Sequence, residues 1–254
     1  DLNITPAQSI WIVNAYQLAV VASLLPFAAL GDRVGPKKVF LGGVVMYTFA
    51  SLGCVLAGSL TQLAIARALQ GIGSAGVMSV NIALVRLIYP PNRLGRGVGL
   101  NALVVGLGSS LGPTVASAVL SLGNWPWLFA LNLPLGVLAW VLGSRDIPAS
   151  RGQGHPVDTA TAALSAVTFA ALIFALSSAA QRAGWVTVMA TLALALVCGS
   201  LLLRRQAGHP APMLPVDLFK RPLFALSAMT SACSFTVQGI AFVSLPFFLQ
   251  TVLH

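Results

Sequence analysis

Glutamate is absent from all 254 residues, and five aspartates face fourteen lysines and arginines. Only 7% of the chain is charged, against roughly 25% in a soluble domain, so a water-soluble globular protein is excluded first. Cysteine is scarce. Cys54, Cys198 and Cys233 stand singly in apolar segments, which excludes a disulfide framework or a C-x-x-C site and leaves them as small buried hydrophobes. His155, His209 and His254 lie in or beside loops without metal-ligand spacing, so no metal site is expected. No nucleophile–base pair is visible, which argues against an enzyme. The G-x-G-x-x-G pattern at residues 71–76 has no strand before it and no acid near 20 residues onward, so neither a dinucleotide nor any other cofactor is expected. Small residues for close helix packing explain that pattern better.

What remains is apolar. Hydrophobic residues make up 57% of the chain, and mean hydropathy is +0.89. Eight runs, at residues 10–30, 39–58, 62–85, 97–122, 126–142, 159–180, 184–203 and 223–253, approach or exceed the roughly 20 residues that cross a bilayer as helix. The last is predicted to be tilted or broken near Pro246. The fold class is therefore an all-α polytopic membrane protein. Of the 24 glycines and 15 prolines, most of the glycines and five of the prolines sit within these runs, where neighbouring helices can satisfy freed backbone groups.

A pI near 10.6 ordinarily suggests nucleic acid, but these cations fall in short clusters between spans without basic–aromatic interleaving, so no nucleic-acid partner is expected. Alternate connections carry twelve cations against one, Arg182, with Arg67 alone inside a span. Positive-inside topology then puts the cation-rich connections in the cytoplasm and residues 1–9 outside. Thr5 is a plausible N-cap with Pro6 at the first helical position. Trp11, Trp125 and Trp127 suit an outer interfacial belt. The chain starts at Asp1 without Met and ends in an apolar run, so a fragment truncated at both ends is expected.

Four segments carry chemistry. Residues 31–38 form a charged turn in which Asp32 can pair with cations or with another helix's N-terminus, Gly35 permits a tight bend, and Arg33, Lys37 and Lys38 supply positive charge. Arg67 is a guanidinium within a span, at about 2.5 to 3.5 kcal/mol on insertion scales, so it should face a polar cavity or a partner; Gln70 and Gly71 follow one turn on. Gly108, Gly112 and Pro113 combine small size with a missing backbone donor, which predicts a bend and close approach by another helix. Trp125, Trp127, Phe129, Asn132, Pro134 and Gly136 mark the entry to the next span.

These segments together resemble the major facilitator superfamily. Leu30, Asp32, Arg33, Gly35 and Lys37 match its loop G-x-L-x-D-R-x-G-R-K, with Ala28 and Pro36 departing. Leu63, Arg67, Gln70, Gly71 and Gly73 match L-x-x-x-R-x-x-Q-G-x-G. Residues 108–117 resemble the antiporter motif G-x-x-x-G-P-x-x-G-G, with Ala116 and Ser117 replacing the final glycines. Residues 125–136 are similar to the multidrug pattern W-x-W-x-F-x-x-N-x-P-x-G, with Pro126 where Arg is usual. Two further spans after this point resemble the fourteen-helix drug:proton antiporters, and among them methyl viologen and quaternary ammonium efflux proteins.

The resemblance implies a partial chain of about eight helices. Residues 1–143 would be an N-terminal bundle lacking its first helix and holding family helices 2 to 6. Residues 144–221 would be two extra linker helices with cytoplasmic loops, and 222–254 the first helix of a truncated C-terminal bundle. It implies proton-coupled efflux of lipophilic, cationic drugs or biocides by alternating access from the bacterial inner membrane, with protons, substrate and lipid as partners and a monomer at full length. Residues 31–38 would act as a gating loop, Arg67, Gln70 and Gly71 as a proton-coupling helix, and Gly108, Gly112 and Pro113 as the antiporter kink. An uptake symporter of the same fold, or a non-transporting scaffold or sensor, are the alternatives. All five aspartates lie at span ends or in loops, so a coupling carboxylate is expected outside this chain. Asn14, Tyr16, Gln17, Asn132 and Gln238 are candidate cavity residues; Asn81 and Asn101 are further polar positions, and Phe129, Phe235 and Phe242 could supply apolar wall.

Overall fold

The structure is a computed structural model that describes residues 6–150, 152, 158–181, 184–206 and 216–252. Its helices are α1 (Pro6–Val34), α2 (Pro36–Val55), α3 (Leu60–Ile88), α4 (Leu94–Leu122), α5 (Pro126–Ala130), α6 (Asn132–Asp146), α7 (Thr159–Ala180), α8 (Trp185–Gln206) and α9 (Pro222–Val252). Eight spans among the described residues are long and apolar enough to cross a membrane, with Pro126–Asp146 counting as one. Thr5 and the three histidines lie outside the described residues.

The chain divides into two compact units, residues 1–207 and 208–254. In the first, α3 packs on both α1 and α2, α6 covers α2, and α7 joins α1 to α8. The α2–α3 contact is built from small residues, which let backbones approach. A Cβ on Gly43 would stand 2.8 Å from the Gly73 carbonyl oxygen, and one on Gly76 would stand 3.1 Å from Gly43 Cα. Apolar clusters close both ends of the bundle: Val39, Val80 and Leu84 with Phe27 and Ile147, and at the other end Cys54, Leu63 and Ala66 with Trp125 and Phe129. We call these the Gly35 end and the Ser59 end. Ser59 caps α3 by accepting from Gln62 N at 3.3 Å, while Gln62 Oε1 accepts from Gly58 N at 2.9 Å, a capping-box variant that satisfies two orphan donors.

Several sequence expectations change. The eight-residue charged turn shrinks to Gly35, with residues 31–34 completing α1 and 36–38 opening α2. Gly35 alone reverses the chain with φ of 100°, a left-handed conformation open chiefly to glycine. The span from Pro126 is interrupted at Leu131, because Pro134 has no N–H for the Ala130 carbonyl and its ring crowds that oxygen. No break occurs near Pro246, since α9 runs unbroken from Pro222 to Val252. Cys54 is buried as expected, but Cys198 is half-buried and Cys233 exposed. In the second unit, the 3-10 turn Val216–Lys220 leads into α9, and Phe219 meets Phe224 edge-to-face at 5.2 Å.

Candidate functional site: an arginine cluster and a strapped turn

Arg67 stands eighth in α3, about 10 Å along the helix from its start. Its guanidinium carbon lies 4.2 Å from the centre of the Tyr16 ring and 5.7 Å from that of Phe129. Nη1 donates to Gln70 Oε1. Gln70, fully buried, donates from Nε2 to Ser51 Oγ at 2.7 Å, and Ser51 donates to the Tyr47 carbonyl at 2.8 Å. Every donor in the chain points away from the cation, so each bond polarises the next and spreads its charge towards α2. Two aromatic faces complete the solvation a guanidinium needs away from water.

Local sequence explains why α1 carries Tyr16 here. A Cβ on Gly71 would strike the Tyr16 carbonyl oxygen and come within 2.9 Å of Ala19 Cβ, so α1 and α3 touch backbone to backbone at this level. The Tyr16 hydroxyl donates to Ser74 Oγ at 2.9 Å, fixing the ring beneath the guanidinium. Arg67, Gln70, Gly71 and Tyr16 are thus brought into one cluster. No carboxylate pairs with Arg67 among the described residues.

The Gly35 end lies about 20 Å further along α3. There Lys37 Nζ donates to the carbonyls of Ser144 at 2.9 Å and Ile147 at 2.5 Å, at the C-terminal end of α6, where a cation meets the negative end of the helix dipole. Lys37 N donates to Ser150 Oγ at 3.1 Å. A Cβ on Gly35 would collide with the Ser150 carbonyl, and one on Gly152 with the Arg33 carbonyl. The segment after α6 therefore straps the α1–α2 turn. Beside it is a cleft of about 230 Å³ lined by residues that include Asp32, Gly31, Ser79 and Gly152. Asp32 is exposed and has no hydrogen-bond or ion-pair partner among the described residues; Arg33 and Lys38 are exposed too.

The remaining candidates scatter. Asn14 donates to Ser177 Oγ on α7 at 2.7 Å, next to the Trp11–Phe174 ring contact at 5.7 Å, so it joins helices. Gln17 is exposed on α1, Asn132 is half-buried in the first turn of α6, and Gln238 is exposed on α9 in the separate unit. Asn81 donates to Asn101 Oδ1 at 2.9 Å, tying α3 to α4. Phe129 belongs to the arginine cluster, Phe235 is exposed, and the Phe242 side chain lies outside the described residues. Pro113 lies within α4, whose residues are nearly all exposed, and nothing described comes within 4 Å of a Cβ placed on Gly108 or Gly112. The expected close approach of a helix there is not made by the described residues.

Sequence reasoning missed Ser51, Ser74 and Ser177, small hydroxyls in apolar runs whose partners depend on helix rotation. It also missed the clasp on the α7–α8 hairpin. Asp158 caps α7 through Ala160 N at 3.1 Å, accepts from Thr161 Oγ1 at 2.6 Å, and pairs with Arg205 Nε at 2.8 Å. Hydrogen bonds from Arg205 first, and Thr161 second, hold its carboxyl well below the usual carboxylate range.

The model of the major facilitator superfamily matches residues 1–254. An uncharacterized transporter of Escherichia coli, YebQ, is 49% identical over all of this chain and 56% of its own length. The riboflavin transporter RibZ of Clostridioides difficile is 28% identical over 98% of this chain and 54% of its own. The multidrug efflux pump LfrA of Mycolicibacterium smegmatis is 31% identical over 92% of this chain and 47% of its own. The chain spans about half the length of these curated relatives. Eight membrane-length spans among the described residues and a match along its whole length lead to one conclusion: the chain belongs to the major facilitator superfamily.

Proposed function

We propose that the protein exports lipophilic, cationic drugs or biocides in exchange for protons, by alternating access between two helical bundles in the bacterial inner membrane. The observation that carries this reading is Arg67, held within a span between the Tyr16 and Phe129 rings and linked through Gln70 to Ser51. A desolvated cation with no described carboxylate partner raises the local electrostatic cost of a second cation. It therefore favours a cycle in which a carboxylate from outside this chain exchanges proton for substrate. Inward proton movement supplies about 2.3 kcal/mol per charge per 100 mV. The likeness to a multidrug efflux pump and the resemblance at Gly108, Gly112 and Pro113 favour export.

In this proposal residues 1–143 supply family helices 2 to 6, 144–221 the two linker helices, and 222–254 the first helix of the second bundle. The Gly35 end is cytoplasmic, and Asp32, with Arg33, Gly35, Lys37 and Lys38, forms a latch that helps hold one conformational state. Arg67, Gln70 and Gly71 form the coupling helix. The full-length protein works as a monomer. Arg67→Ala in the full-length protein should abolish proton-dependent ethidium efflux while membrane insertion persists; unchanged efflux removes Arg67 from the mechanism. A second reading, solute uptake, draws on the likeness to a riboflavin transporter. The direction of substrate flux relative to an imposed proton gradient separates the two.

A further inference from the structure

The α7–α8 hairpin is stiff in itself. Asp158, at the head of α7, holds Arg205 in the last turn of α8 at 2.8 Å and accepts from Thr161 at 2.6 Å. Further along, Gly199 of α8 lies against Thr168 of α7, where a Cβ would stand 3.3 Å from the threonine methyl. The residues that α7 buries, Thr161, Ser165, Ala171, Ala175 and Ser178, are all small, so neighbouring helices approach it closely.

The hairpin is fastened to α1 at two separate places. Towards the Ser59 end, Asn14 donates to Ser177 Oγ at 2.7 Å, and the Trp11 and Phe174 rings lie 5.7 Å apart. At the Gly35 end, the chain that leaves α6 for α7 rests on the last turn of α1. A Cβ on Gly152 would strike the Arg33 carbonyl and stand 2.7 Å from Val34 N. Ser150 Oγ accepts from Lys37 N at 3.1 Å, which caps α2 from another segment, because its own N-cap residue Gly35 has no side chain to do so. Arg33 lies nineteen residues beyond Asn14 in one helix, about 28 Å along its axis. A body fastened at one point can pivot about it; fastened at two points this far apart, it follows the helix that holds it.

We propose that the α7–α8 hairpin is a fixed flank of α1, pinned at both ends, and that the seam between α1 and α7 stays shut throughout the transport cycle. The hairpin then keeps Asn14, a polar side chain within a span, away from lipid. A lipophilic substrate dissolved in the bilayer has no entrance between α1 and α7. This inference rests on the alternating-access part of the proposed function, and on neither the direction of transport nor its coupling to protons.

The test uses the full-length protein with its native cysteines replaced, carrying Trp11→Cys and Phe174→Cys, which leaves the Asn14–Ser177 bond in place. A reducible bifunctional thiosulfonate then bridges α1 to α7. The bridging rate tracks the population in which the seam is shut, so rates at pH 5.5 and pH 8, with and without ethidium, should agree within about twofold. The bridged protein should move ethidium as the unbridged one does. A rate that falls severalfold in one condition, or a loss of flux on bridging that returns on reduction, overturns the proposal. Gly152→Val with Ser177→Leu removes both fastenings and should slow bridging by about fivefold or more, because the open seam becomes populated; an unchanged rate also overturns it. If the unbridged protein moves no ethidium, the proposed substrate fails, and the bridging rates still decide the seam.

Discussion

Replacing Gln70 with Leu removes the side chain that, among the described residues, connects Arg67 to α2, at nearly constant volume. Two bonds are lost: the charge-assisted bond from Arg67, about 1.5 to 3 kcal/mol, and the neutral bond to Ser51, about 0.6 kcal/mol by the average for interhelical bonds within membranes. Ser51 keeps its bond to the Tyr47 carbonyl and is not orphaned. Arg67 keeps its two rings but loses its acceptor. The expected cost is therefore about 2 to 3.5 kcal/mol, most of it from the cation and little from the serine. Ser51→Ala should cost under about 1 kcal/mol, and the double variant should cost less than the sum by roughly 0.5 kcal/mol or more, because both substitutions cut one chain of bonds. Reversible unfolding of the full-length protein by steric trapping in bicelles measures all three. A Gln70→Leu cost within about 0.5 kcal/mol of zero, or strict additivity with Ser51→Ala, would refute the relay.

Further expectations follow from the packing and the clasp. Gly71→Val drives a branched side chain into the Tyr16 carbonyl and Ala19, so it should destabilise by about 1 to 3 kcal/mol or more, and a cysteine pair across α1 and α3 should lose its cross-linking yield. Lys37→Met keeps the stem but loses both bonds to the end of α6; residues 144–150 should then gain amide exchange while the α2–α3 interface keeps its protection. For Asp158 the folded pKa is depressed, so its contribution is present above the unfolded carboxylate range near 3.9 and is lost as pH falls below it. Cross-linking between the ends of α7 and α8 should accordingly be flat from pH 5 to 8 and fall only in stronger acid, whereas Asp158→Asn should lower it at every pH; a midpoint near pH 6 would contradict the pairing with Arg205.

Much of this architecture can be read from hydropathy, because a helix in lipid must be long and apolar whatever packs beside it. All eight spans are of that kind, and α3's unusual Arg67 with Gln70 and Gly71 points to a buried polar cluster before any coordinates. The Gly35 turn is harder. Asp32, Arg33, Lys37 and Lys38 look like loop residues by charge, yet helix ends tolerate charges at the headgroup level, so only the residue with positive φ leaves the helix. Cavity polarity is harder still. Asn14 could face a substrate or a neighbouring helix, and the rotation of α1 that gives it Ser177 also gives Arg67 the Tyr16 ring; neither follows from spacing within one helix. The strap is invisible in sequence because Ser150 and Gly152 carry no signal until Gly35 is placed beneath them.

The central claim is exchange of a drug cation for a proton with Arg67 in the coupling helix. Its most direct measurement is ethidium movement by the full-length protein in proteoliposomes under an imposed proton gradient, with internal pH followed in the same vesicles. The account predicts that ethidium moves against the proton flow, that each influx of drug dissipates the gradient, and that Arg67→Ala stops both. Ethidium moving with the protons, or moving at the same rate with no gradient, would contradict it.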